Sequence, residues 1–111
     1  MQSFDIAGME VERHQPAVIE SEDEGRAIVL ELPAGEMLQE HQVHERGWLL
    51  VVTGSIEVED SGGQTIAGGP GLLATFAPNE RREIRAKEDT RLLLILSPWP
   101  GDGHPRLRHS Q

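Results

Sequence analysis

The chain contains no cysteine, which excludes both a disulfide framework and a thiolate metal site. No apolar run approaches the roughly 20 residues that a membrane helix needs; the longest are residues 48–52 and 92–96. The opening residues lack a basic start followed by an apolar stretch, so no signal peptide is expected and a cytoplasmic protein is the plain expectation. Bases are scarce as well. Ten Lys and Arg against nineteen Asp and Glu leave a net charge of −9, which argues against nucleic acid, because phosphate neutralisation needs clustered cations. Helix signals are nearly missing: no long window keeps an i, i+3, i+4 apolar spacing, and Gly and Pro punctuate the chain throughout. No Gly-x-Ser-x-Gly elbow is present, and the glycines of residues 68–71 lack the Lys and the helix pattern of a phosphate loop.

What is present is strand. At 111 residues the chain has room for one domain with one core. Strands are expected near residues 27–32, 37–43, 48–53, 56–59, 64–67, 72–76, 82–85 and 91–96, separated by Gly-, Pro- and Asp-containing turns. Short strands at this spacing indicate an all-β sandwich or barrel. Residues 48–52 and 92–96 are apolar on both faces of the strand. One face fills the interior; the other needs cover from the N-terminal segment or from a second copy. A homodimer using the outer face that carries Trp48 is the expectation. Charge is uneven: residues 1–60 hold fourteen acids and three bases, residues 61–111 five and seven. The acidic run of Glu20, Glu22, Asp23 and Glu24 reads as a solvated loop. Arg81, Arg82 and Arg85 follow the Pro78-Asn79 turn and offer guanidinium groups to an anion, or to ion pairs with Glu80 and Glu83.

Gly35, His41 and Gly54 resemble the first cupin motif, in which a glycine precedes a His-x-His pair, a glutamate and a closing glycine. Counted back from Gly54, the glutamate position falls on Gly47 and the second histidine position on Val43. The second motif is matched by Gly71, Pro78 and Asn79, with Arg82 where that motif carries its histidine. The resemblance implies a double-stranded β-helix, or jelly-roll barrel, with its core over residues 26–97. An N-terminal strand segment (1–25) and an extended Pro/Gly-rich tail (98–111) flank it.

In metal-bearing members of that family, three imidazoles and a carboxylate hold a divalent transition metal. Only His41 stands at its position here. His44, turned by a bulge, with Glu40 or Glu45 as carboxylate, would make a reduced site, and His104 could join from the tail. An inward Arg82 would oppose any such ion. The expected function is therefore binding of a small molecule or anion inside the barrel, with His41, Val43, Gly47 and Arg82 as contacts. The alternatives are a metal-dependent enzyme of oxygenase or isomerase type using His41 and His44, and a dimeric structural or interaction module. No catalytic residue is assigned.

Overall fold

The computed structural model describes residues 1–13, 15–22, 24–41 and 45–98. Nine strands run through the described residues: β1 (Ala17–Glu22), β2 (Gly25–Leu32), β3 (Met37–His41), β4 (Arg46–Thr53), β5 (Ile56–Asp60), β6 (Thr65–Gly68), β7 (Leu73–Phe76), β8 (Arg82–Ala86) and β9 (Thr90–Ser97). They form a five-stranded sheet ordered β1-β2-β9-β4-β7 and a four-stranded sheet ordered β3-β8-β5-β6. All strand pairs are antiparallel. The expected strands are all found, within a residue or two at most ends. Among the described residues no helix is long and apolar enough to cross a membrane.

Side-chain alternation explains where the core sits. In β4, Gly47, Leu49 and Val51 are buried while Trp48, Leu50 and Val52 are half-buried; in β9, Thr90, Leu92, Leu94 and Leu96 are buried. Register brings these together, with Leu94 opposite both Ile28 and Leu49. Across the interior, Ile56, Val58, Ile84 and Ala86 of the second sheet complete a single shared core. Each fully buried Leu or Ile contributes roughly 1.5–3 kcal/mol relative to exposure, so the interlayer carries most of the stability.

The outer face of the larger sheet is partly covered by the chain's own N-terminal segment. Arg91 donates to the backbone carbonyls of Ile6, Ala7 and Met9 and bonds Glu31 through Nε at 2.9 Å. Beneath this end Val29 is wholly buried. Farther across the same face, Leu73 and Ile95 remain 56% and 40% exposed. The acidic run is only partly the expected loop: Glu20 and Glu22 lie in β1, an edge strand paired with β2, Glu24 is an exposed turn residue, and Asp23 lies outside the described residues.

One end of the barrel is closed by backbone. Gly54 has φ +88°, and a Cβ there would meet the Asp89 carbonyl and Thr90 Oγ1 at 2.4 Å, so only glycine fits. Thr90, fully buried, accepts from Ser55 N at 3.1 Å and lies 2.7 Å from the Glu88 carbonyl and 3.0 Å from that of Ser55. Gly35 N donates to Ala86 O at 2.9 Å beside it. The residues at 53–55 therefore carry the chain from one sheet to the other, since β4 and β5 do not pair.

Candidate functional site

At the opposite end, strand parity decides the chemistry. β8 alternates Arg82, Ile84 and Ala86 buried with Glu83 and Arg85 turned outward. Ile84 and Ala86 belong to the core, and residues two apart share a face. Arg82 is thereby drawn inside and is only 2% exposed. Its guanidinium lies over the Phe76 ring, 4.8 Å from the centroid. Nε, Nη1 and Nη2 are all buried and have no hydrogen-bond partner among the described residues. Burial pushes the guanidinium below its ordinary pKa, and the nearby Glu80 charge opposes that shift.

Two strands flank this side chain. Asp60 of β5 is its register partner on one side and His41 of β3 on the other. The β3 pairing slips between Leu38 and His41. Continued from Leu38 opposite Ile84, an unbroken register would set Glu40 against Arg82; the extra residue brings His41 there instead. Bulges recur beside functional sites because they re-aim a strand end.

Glu80 is held by the turn that precedes β8. Glu80 N donates to Ala77 O at 3.1 Å, Asn79 takes φ +65°, and Ala77 N donates back to Glu80 Oε1 at 3.0 Å. Pro then Asn at the two central positions is the composition of a type II turn. A cavity of about 250 Å³ opens between the edges of the two sheets, lined by Val58, Asp60, Ile66, Ala74, Phe76 and Glu80. Three of these, Asp60, Phe76 and Glu80, are also the neighbours of Arg82 named above. A second hollow of about 240 Å³ is polar and is lined by Glu59, Asp60, Ser61, Arg81, Arg82 and Glu83, so Arg82 borders this hollow while Phe76 borders the first.

Of the expected site residues, the structure gathers three by backbone position. Gly47 pairs with Phe76, faces inward, and lies where an added Cβ would sit 3.8 Å from the Phe76 ring and 3.6 Å from Leu96. No bulge occurs at Gly47; the irregularity in β4 falls between Val51 and Thr53. His41 stands opposite Arg82. Val43 and His44 lie outside the described residues, as do His104 and the side chains of Glu40 and His41. Arg81 and Arg85 are exposed.

Among the described residues no three His, Asp or Glu side chains gather to hold an ion, and Gly47 supplies no donor. A divalent ion roughly 6 Å from the Arg82 guanidinium would be repelled by roughly 5–6 kcal/mol at an effective dielectric near 20. Phe76 was not expected from the sequence, although it carried a signal in its alternation with Ala74 on β7; Glu80 was expected only as an ion-pair partner of the neighbouring arginines, and its charge does bear on Arg82.

No protein-family model matches the chain, and no curated protein does. Solved structures do. A RmlC-like cupin protein from Desulfovibrio desulfuricans superposes with a TM-score of 0.78 at 17% identity, covering 87% of this chain and 96% of its own. The Cnp3 cupin domain of Schizosaccharomyces pombe gives 0.78 at 18% identity over 97% and 77%. A cupin superfamily protein from Desulfitobacterium hafniense gives 0.74 at 16% identity over 84% and 86%. Likeness at such identities is a likeness of fold, since one fold hosts many functions.

Proposed function

The chain has the cupin fold, and on that premise we propose that it is a binding protein whose barrel takes up a small anion through Arg82. The carrying observation is the Arg82 guanidinium, 2% exposed and without a hydrogen-bond partner for any of its three nitrogens among the described residues. A buried cation in this condition is costly unless something completes its hydrogen bonds. An anion does so, and the Phe76 ring lies beneath the guanidinium. Gly47 is the register partner of Phe76, and His41 is the register partner of the same arginine. The test is isothermal titration of the purified chain with small organic and inorganic anions. Saturable binding that disappears in Arg82→Met is expected; binding unchanged in that variant removes Arg82 from the site.

The homodimer remains part of the proposal, supported by Leu73 and Ile95, which stay exposed on the outer face after the N-terminal segment has covered its other end. Sedimentation velocity at micromolar concentration tests it, and a monomer there ends it. The cytoplasmic location expected from the sequence also stays a proposal, for cell fractionation to check.

A further inference from the structure

A guanidinium stacked on an aromatic ring has its face occupied and its N–H bonds free in the plane. Arg82 Cζ lies over the Phe76 ring, 4.8 Å from its centroid, and its three nitrogens have no hydrogen-bond partner among the described residues. Such an edge matches a planar, two-oxygen acceptor, which takes two parallel hydrogen bonds from it. Charge narrows the class further. Arg82 is the one buried cation among the described residues, and two acids stand close to it, Asp60 across the β5 pairing and Glu80 through its charge. A ligand with a second negative charge would meet both of these carboxylates.

The neighbouring backbone points the same way. Phosphate sites are built from several convergent backbone N–H groups. Beside Arg82 those groups are already committed: Gly62 N and Gln64 N to Asp60 Oδ1 at 2.9 Å, Gly63 N to Asp60 O, Ala77 N to Glu80 Oε1 and Glu80 N to Ala77 O. Arg82 borders the polar hollow and would reach the neighbouring cavity by turning across the Phe76 ring; that cavity is about 250 Å³ and offers carbon from Val58, Ile66 and Ala74. That is below the roughly 300–1,000 Å³ of sites for drug-sized ligands.

Resting on the anion reading above, we infer that the ligand class is a small monocarboxylate with an apolar body. Its carboxylate lies edge-on to Arg82 after a rotation of that side chain across the Phe76 ring. Its body runs past the ring toward Val58 and Ile66. The barrel is thereby selective against phosphate and against neutral molecules of the same shape.

Titrations of the full chain followed by proton–carbon NMR test this, with benzoate, cyclohexanecarboxylate, inorganic phosphate and benzamide as probes. Benzoate and cyclohexanecarboxylate are expected to shift the Val58 and Ile66 methyls saturably, with phosphate and benzamide weaker by about tenfold or more. Arg82→Met should abolish carboxylate binding, and Arg82→Lys, which keeps charge but loses the fork, should weaken it by about tenfold or more. Ile66→Phe, on the edge strand, should crowd out the carboxylates without touching Arg82. Phosphate bound through Arg82 as tightly as benzoate would overturn the monocarboxylate class while leaving the anion reading intact. No anion bound at millimolar concentration, or benzoate bound equally by Arg82→Met, would overturn both.

Discussion

Replacing Arg82 by Met should stabilise the protein. The side chain is 2% exposed, and none of its nitrogens finds a hydrogen-bond partner among the described residues. Each unmade buried hydrogen bond costs about 1–3 kcal/mol, and an unpaired buried ion costs several kcal/mol even after relaxation. Against this, the Phe76 contact at 4.8 Å returns about 0.5–2 kcal/mol. Met is unbranched and adaptable, and its sulfur recovers about 0.3–1.5 kcal/mol against the same ring. The balance favours the variant by about 1–3 kcal/mol, in line with exchanges of buried ions for apolar side chains. For a domain near this size each kcal/mol moves the thermal midpoint by roughly 4–8 °C. Circular dichroism melts and urea titrations at pH 7 measure it, with Arg85→Met as the control. Arg85 is exposed on the same strand and should move stability by no more than about 0.5 kcal/mol. A midpoint that falls in Arg82→Met would show that the guanidinium is held by the protein's own acceptors. Arg82 would then be a structural residue, and the anion reading would lose its support.

Three further outcomes follow from the same geometry. Gly54→Ala should lose at least about 2–3 kcal/mol in urea unfolding, because a non-glycine residue at φ +88° is strained and its Cβ would meet Asp89 O at 2.4 Å. Thr90→Val keeps the shape but strands Ser55 N and the Glu88 carbonyl; a loss of about 1–3 kcal/mol is expected, and no loss would mean that water replaces the hydroxyl. Arg91→Ala removes the donor shared by Ile6, Ala7 and Met9. Limited proteolysis should then cut within residues 1–13 several-fold faster while the barrel stays intact, and an unchanged rate would show that the segment is held by other contacts.

The fold was legible because it rests on period-two alternation and on turns, both local. Residues 56–59 announce their strand by side-chain alternation, residues 82–85 by the turns on either side, and Gly54 stood out by spacing. The reason for Gly54 was not legible, because the atoms that exclude a Cβ belong to Asp89 and Thr90, far along the chain. Arg82 was locatable by counting, but its direction depends on Ile84 and Ala86 being the core residues of β8, which one short strand cannot declare. Phe76 under the guanidinium joins two sheets, and no pattern within either strand encodes that contact. The acidic run misled for a related reason. Charge suggested solvent, and Glu20 is indeed only half-buried, but an edge strand satisfies that demand as well as a loop does.

Stability and binding at Arg82 are two views of one free energy, and together they make the sharpest test. The closed end of the barrel satisfies its buried polar groups almost atom by atom, through Thr90, Ser55 and Glu88. The Arg82 end leaves a cation without partners among the described residues, on a strand whose parity would accept any apolar side chain at that position. A ligand that completes those hydrogen bonds stabilises the folded state by RT ln(1 + [L]/Kd), about 2.7 kcal/mol at a hundredfold excess over Kd. That is comparable to the about 1–3 kcal/mol by which Arg82→Met should exceed the wild type alone. Melts in saturating benzoate should therefore bring the wild type level with Arg82→Met or above it, while the variant's own midpoint stays where it was. If both midpoints rise equally, benzoate acts elsewhere on the barrel. If neither moves, the cost of burying Arg82 has some origin other than a carboxylate ligand.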